Sequence, residues 1–99
     1  MAAKLIIAEE AEGDLDEAYA WYERQRPGLG EDFLRCVDAC LQSTRRNPKM
    51  HPVVFKQYRR ALVRRYPYAV FFEYANRAMT VYGVFHTSRD PNHWRTRLS

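Results

Sequence analysis

The chain has 99 residues, 46% hydrophobic and 28% charged, with a formal net charge of +4. That length makes one small domain, residues 1–99, burying roughly two-thirds of its unfolded surface, and the composition excludes a disordered chain. The amino-terminal apolar run ends at Ala8, too short for a secretory signal or a bilayer span, so a cytoplasmic protein is expected.

The charge is split along the chain. Residues 1–48 carry 6 Lys+Arg against 10 Asp+Glu, net −4, whereas residues 49–99 carry 10 against 2, net +8. A cationic second half suits a surface that meets phosphates or an acidic protein segment, because the fields of clustered charges add. It equally suits an acidic helical layer matched to a basic sheet within one fold. Cys36 and Cys40, four residues apart on a predicted helix, read as small core residues. With His51, His86 and His93 they make none of the paired spacings of a zinc site, and neither metal nor cofactor is expected.

In chain order, Lys4–Ala8 is β-rich and runs straight into Glu9, Glu10 and Glu12, acids that suit the positive end of a helix. Over residues 9–26, Ala11, Leu15, Ala18, Tyr19 and Tyr22 recur at spacings of three and four and form one apolar stripe. Trp21 flanks the stripe, where it either caps the core, the favoured reading, or presents a contact surface, while Gly13 interrupts the helix and weakens it by about 1 kcal/mol relative to alanine. Pro27-Gly28-Leu29-Gly30 stops that helix and reverses the chain. A second helix opens at Glu31-Asp32, buries Phe33, Leu34, Val37, Cys40, Leu41 and Thr44, and closes at Asn47-Pro48. The two helices form a hairpin.

Residues 49–57 show no clean period and read as a connecting loop with a few extended residues. Arg59–Arg65 reads as a short strand and Tyr66-Pro67-Tyr68 as a break. Ala69–Tyr74 and Met79–His86 follow as an antiparallel hairpin closed by residues 75–78, where Asn76 tolerates a left-handed conformation. Alternation places Val70, Phe72 and Tyr74 on one face and Ala69, Phe71 and Glu73 on the other. Both faces are apolar and the helical hairpin covers only one, so the tail, a partner chain or a substrate must close the second. The closing His86-Thr87-Ser88-Arg89-Asp90-Pro91 can form a hydrogen-bonded corner, with Arg89 and Asp90 as a local ion pair and Trp94 packing over it as a lid. The Arg59-Arg60 and Arg64-Arg65 pairs, split between faces by alternation, leave at least two cations free for an acidic partner.

The ordered set of a strand, a helical hairpin joined by Pro27-Gly28-Leu29-Gly30, Arg59 to Tyr68, an apolar hairpin, and His86 with Arg89-Asp90-Pro91 and Trp94 resembles the RelE/ParE toxin superfamily. The resemblance covers nearly the whole chain. It implies an α+β fold, β-α-α-β-β-β, with the helical hairpin packed on one face of a small antiparallel sheet. It also implies the toxic half of a bacterial type II toxin-antitoxin (plasmid stabilisation) module, neutralised by a cognate antitoxin in a hetero-oligomer with no membrane role. Arg59, Arg60, Arg64, Arg65, Arg89 and Trp94 are the expected partner-binding residues.

One branch of the superfamily cleaves messenger RNA on the ribosome, and another poisons DNA gyrase. RNA cleavage needs a base for the 2′-hydroxyl, cations for the phosphorane and an acid for the leaving oxygen. His86 is the candidate base or acid, with Arg89, Arg65 and Arg60 as phosphate clamps. Ribonuclease members commonly carry a lysine-rich strand region and a late catalytic tyrosine, whereas this chain has only Lys56 there and no tyrosine after Tyr82. The Arg-Asp-Pro ending and long helical hairpin look more like the ParE side, which favours a non-catalytic gyrase inhibitor over an mRNA endoribonuclease. A third reading is a degenerate, non-toxic module that only binds an antitoxin.

Overall fold

The computed structural model describes residues 2–99. Strand β1 (Lys4–Ile7) leads into helices α1 (Glu9–Gln25) and α2 (Leu29–Arg46), and a short 3₁₀ turn at Pro48–Met50 follows. Then come β2 (Val53–Phe55), β3 (Tyr58–Leu62), β4 (Tyr68–Ala75), β5 (Ala78–His86) and a closing helix α3 (Pro91–Leu98). One five-stranded sheet runs in the order β1-β5-β4-β3-β2. β1 joins β5 in parallel, whereas the other neighbours are antiparallel. The sheet is therefore mixed, because the long helical connection lets β1 return beside the last strand in the same direction.

The architecture is α+β as expected, with two additions. Val53–Phe55 in the supposed loop pairs with β3 as a short edge strand, and the tail from Pro91 is helical. The strand expected through Arg65 stops at Leu62, since Arg65 adopts a left-handed φ of 73° and sits in the turn that Pro67 completes. Alternation therefore does not split the Arg64-Arg65 pair between faces. The β4–β5 hairpin closes as a two-residue turn in which Asn76 (φ 52°) and Arg77 (φ 62°) are both left-handed, the type that matches strand twist.

The helical hairpin packs on one face of the sheet. Ala11, Ala18 and Tyr22 of α1 and Phe33, Val37 and Leu41 of α2 are buried against Val70, Phe72, Met79, Val81 and Val84. Tyr22, Phe33, Tyr66 and Tyr68 contribute an aromatic cluster with ring centroids 5.0–6.1 Å apart. Trp21 departs from the core-capping expectation: the residue is 49% exposed, its ring edge-on to Tyr22, because it lies a residue outside the stripe that α1 turns toward the sheet. The second face is closed by the tail, with Trp94 and Leu98 of α3 buried over Ala69, Phe71 and Phe85.

A bulge in β5 makes this two-sided burial work. Phe71 pairs with Gly83 but Phe72 pairs with Val81, so Tyr82 is one extra residue. Met79, Val81 and then Val84 face the helical hairpin, whereas Tyr82 and Phe85 face α3. Without the extra residue, Phe85 would share a face with Val81, since a slip of one reverses every later side chain. Gly83 completes the device: a Cβ there would collide with the Phe85 ring folded over it.

The hairpin turn also depends on a side chain absent from any turn signature. Glu23 accepts hydrogen bonds from the backbone N–H groups of Gly28 (2.9 Å) and Gly30 (2.8 Å), satisfying donors at the start of α2. A Cβ on Gly30 would lie 2.7 Å from the Tyr19 carbonyl oxygen, whereas one on Gly13 meets nothing within 4 Å. The two helical glycines therefore predict opposite outcomes in thermal denaturation. Gly13→Ala should stabilise by about 1 kcal/mol, and Gly30→Ala should destabilise by about 1–3 kcal/mol through overpacking. Equal effects of the two substitutions would contradict this packing.

Candidate functional site

β1 spans four residues and β5 nine, so β5 outruns its neighbour on that side. Ladder pairing ends at Ile7 with Val81, and Ala8 N donates to Val81 O as the last backbone contact there. Beyond it, side chains take the place of a strand. Asp14 on α1 accepts from Val84 N (2.9 Å) and receives both Nη1 (2.9 Å) and Nη2 (3.1 Å) of Arg97 from α3. Arg97 Nη1 also reaches the Tyr82 carbonyl at 3.3 Å. One donor and one acceptor of the open edge are thus satisfied, and α1, β5 and α3 are tied together. The Arg97 guanidinium lies 4.8 Å over the Phe85 ring, adding a cation–π contact.

This bracket floors a groove of about 590 Å³, within the usual range for binding pockets. Glu17, Trp21 and Arg24 of α1 form one wall and His86, Arg89 and His93 the other. The spacing 17, 21, 24 aligns the first three on one side of their helix. Tyr68 sits beneath, its ring edge-on to His86 at 5.3 Å, and burial pushes its phenol pKa up, which keeps the hydroxyl protonated.

His86 and Arg89 therefore line one groove, as the chemistry of the sequence requires, but their partners differ from expectation. His86 Nδ1 accepts from the Ser88 backbone N–H at 3.1 Å and lies 2.7 Å from Ser88 Oγ. Because a backbone N–H only donates, neutral His86 carries its proton on Nε2. The Arg89–Asp90 ion pair does not form. Asp90 instead caps α3, accepting from Asn92 N at 2.9 Å with Pro91 in the first turn. Arg89 Nη1 lies 2.9 Å from His93 Nε2.

The remaining arginines lie elsewhere. Arg65 is held 3.1 Å from Asp32 Oδ2 on α2 and does not line the groove. Arg59 donates to the His51 carbonyl at 2.7 Å and the Lys49 carbonyl at 3.2 Å, anchoring the segment before β2. Arg60 is half-buried on β3, and Arg64 is exposed in the turn. Trp94 is 8% exposed and stacked on Phe71, with centroids 4.8 Å apart, so it packs as the lid, over the sheet. Asp14, Arg24 and Arg97 are the site residues missed in the sequence. Asp14 and Arg97 are 83 positions apart, and no local pattern links them.

A family model described as the ParE toxin of the type II toxin-antitoxin system, parDE, matches residues 5–91. The chain belongs to the ParE toxin family. Its fold is similar to a solved structure of the chromosomal ParDE TA system from P. aeruginosa, with a TM-score of 0.79 at 14% identity. That likeness covers 88% of this chain and 98% of the other. A search of curated proteins gives no significant match. As a ParE-family toxin the chain belongs to a module whose other half is an antitoxin. Among the described residues no helix is long and apolar enough to cross a membrane.

Two side-chain contacts set how the fold responds to mutation and to pH. The Arg97 and Asp14 side chains are 27% and 14% exposed, so breaking the pair should cost less than the 3–5 kcal/mol of a fully buried one. Asp14→Ala is expected to destabilise this ParE-family toxin by about 2–3 kcal/mol in urea titration, and a loss under about 0.5 kcal/mol, the usual limit for surface substitutions, would contradict the bracket.

The second is the Tyr66 hydroxyl, which donates to Asp32 Oδ2 at 2.6 Å. That bond, followed by the nearby Arg65 charge, holds the Asp32 carboxyl below its ordinary value, while burial and then the same bond push the Tyr66 phenol up to about 12. A lowered carboxylate contributes stability that is lost as pH falls through its folded value, and a raised phenol contributes stability that is lost as pH rises from about 10 to about 12. Tyr66→Phe should be less stable at neutral pH and should lose less stability toward either extreme, as read from denaturant midpoints. Unchanged acid and alkaline slopes would overturn this reading.

Proposed function

We propose that this ParE-family toxin acts on DNA gyrase and is neutralised by its cognate antitoxin, rather than acting as an mRNA endoribonuclease. The observation that carries this reading is the dispersal of the residues RNA cleavage would need. His86 and Arg89 share a groove, but Arg65 is held on Asp32 in the first turn of α2. A phosphorane needs its cations converging on one point. His86 counts against the base role: with Ser88 N–H on Nδ1, the neutral ring presents Nε2–H, a donor, where base catalysis requires an acceptor. Moving the proton to Nδ1 sets it against the Ser88 amide.

The reading is tested with the purified toxin and gyrase. The toxin should block supercoiling and trap gyrase-cleaved DNA, and induction should create no new messenger 5′ ends. His86→Ala should retain toxicity, whereas loss of a catalytic histidine would cost roughly 10²–10⁴-fold. New ribosome-dependent 5′ ends, together with a non-toxic His86→Ala that still folds, would replace gyrase with messenger RNA as the target.

A further inference from the structure

The cations of residues 49–99 are not scattered evenly over the fold. Arg97 is spent on Asp14, Arg65 on Asp32 and Arg59 on loop carbonyls. Three others meet on the α3 side of the sheet. Lys56 Nζ lies 5.4 Å from the Phe55 ring centroid, and the Arg95 guanidinium lies 6.0 Å from the same ring and 5.3 Å from Trp94. Arg60 points to this side, because Ala61 beside it is in the helical-hairpin core. It pairs across strands with Phe71, the ring on which Trp94 stacks. Among the described residues none of the three has a carboxylate partner. Glu73 shares the face, on the next strand beside Tyr82.

We infer that this face is a docking surface for the phosphate backbone of duplex DNA. Charge complementarity requires an anionic partner, and the sequence pI of about 9.3 with cations gathered on one face is the electrostatic footprint of nucleic-acid binding. The apolar content of the face argues for phosphates over an acidic protein. Phe71, Phe85 and Trp94 are buried at 2%, 4% and 8% exposure, so the aromatic anchors on which protein interfaces depend are already consumed within the fold. Leu62, 62% exposed, is a single aliphatic side chain. Phe55, Tyr58 and Tyr82 on the same face are half-buried, Phe55 set edge-on to Trp94 and Tyr58 edge-on to Tyr82, so none offers a fully open ring to a single-stranded base. What remains is three long cationic side chains held over a rigid aromatic floor, suited to a regular array of backbone phosphates.

The inference rests on the gyrase reading only for the choice of DNA over duplex RNA. It adds that the toxin touches the DNA segment itself.

The test is fluorescence anisotropy of the full chain on a labelled 20-base-pair DNA duplex of arbitrary sequence, without gyrase. Binding should weaken with salt at a slope of about −3 in log K against log salt, since each neutralised phosphate contributes roughly −0.9. Combined Lys56→Gln, Arg60→Gln and Arg95→Gln should weaken binding at least ~10-fold and flatten the slope toward zero. Arg77→Gln, removing an exposed arginine at the β4–β5 turn, should leave binding unchanged, and circular dichroism checks that each variant folds. No binding at low salt, an equal loss in Arg77→Gln, or preference for single-stranded or duplex RNA would overturn the inference. Failure here with intact inhibition of supercoiling would leave the gyrase reading standing. DNA binding without that inhibition would remove gyrase and keep the surface.

Discussion

A carboxylate standing in for a missing strand is the contact on which the rest of this structure depends. β5 needs its nine residues to pair with β4 and reach the Tyr68 and His86 end, yet β1 covers only its first half. An open edge leaves backbone groups without partners and invites another chain to pair. Asp14 supplies the acceptor for Val84 N, and Arg97 supplies a donor for Tyr82 O. These contacts sit at and just beyond the bulge that turns Val84 toward one core and Phe85 toward the other. A helix from each layer thus meets at the place where the strand changes phase.

Function follows from what this arrangement leaves over. Closing the edge with side chains opens a groove beside it, lined by Trp21 and Arg24 on one wall and His86 and Arg89 on the other. Closing the second face with α3 buries Trp94 and brings Arg95 over Phe55, the ring that its neighbour Lys56 also covers. The chain thereby presents an acidic helical layer, a mixed groove and a cationic sheet face. The sequence split between net −4 and net +8 becomes a separation in space. Internal matching of charge accounts for part of it, at Asp14–Arg97 and Asp32–Arg65. Arg60, Lys56 and Arg95 lie outside those pairs.

Much of the fold was legible from periodicity. The stripes on α1 and α2, the reversal at Pro27–Gly30 and the β4 alternation all reflect local spacing acting on nearby residues. β2 was hidden because a three-residue edge strand has too few positions to show a period, and α3 because its apolar residues, Trp94 and Leu98, span only two turns. The bulge at Tyr82 was illegible for another reason: alternation presumes an unbroken register, and the extra residue appears only when Phe71 and Phe72 are paired. At the site, His86 and Arg89 stood out by residue type and sequence proximity. Asp14 and Arg97 did not, since each looks like an ordinary solvated charge until the fold brings them together across 83 positions. Arg65 misled for the converse reason, its basic neighbours suggesting a clamp where the structure spends it on Asp32.

Closure of the β5 edge rests on one amide. Val84 N–H faces the open side of β5, where an unpaired edge amide would exchange rapidly with solvent. Native-state hydrogen exchange resolved by residue measures it directly. If Asp14 replaces the missing strand, Val84 exchanges as slowly as the amides paired in the β4–β5 ladder, and Asp14→Asn speeds it while Ala69, paired with Phe85 in that ladder, changes little. Rapid exchange at Val84 in the unaltered chain would contradict the claim.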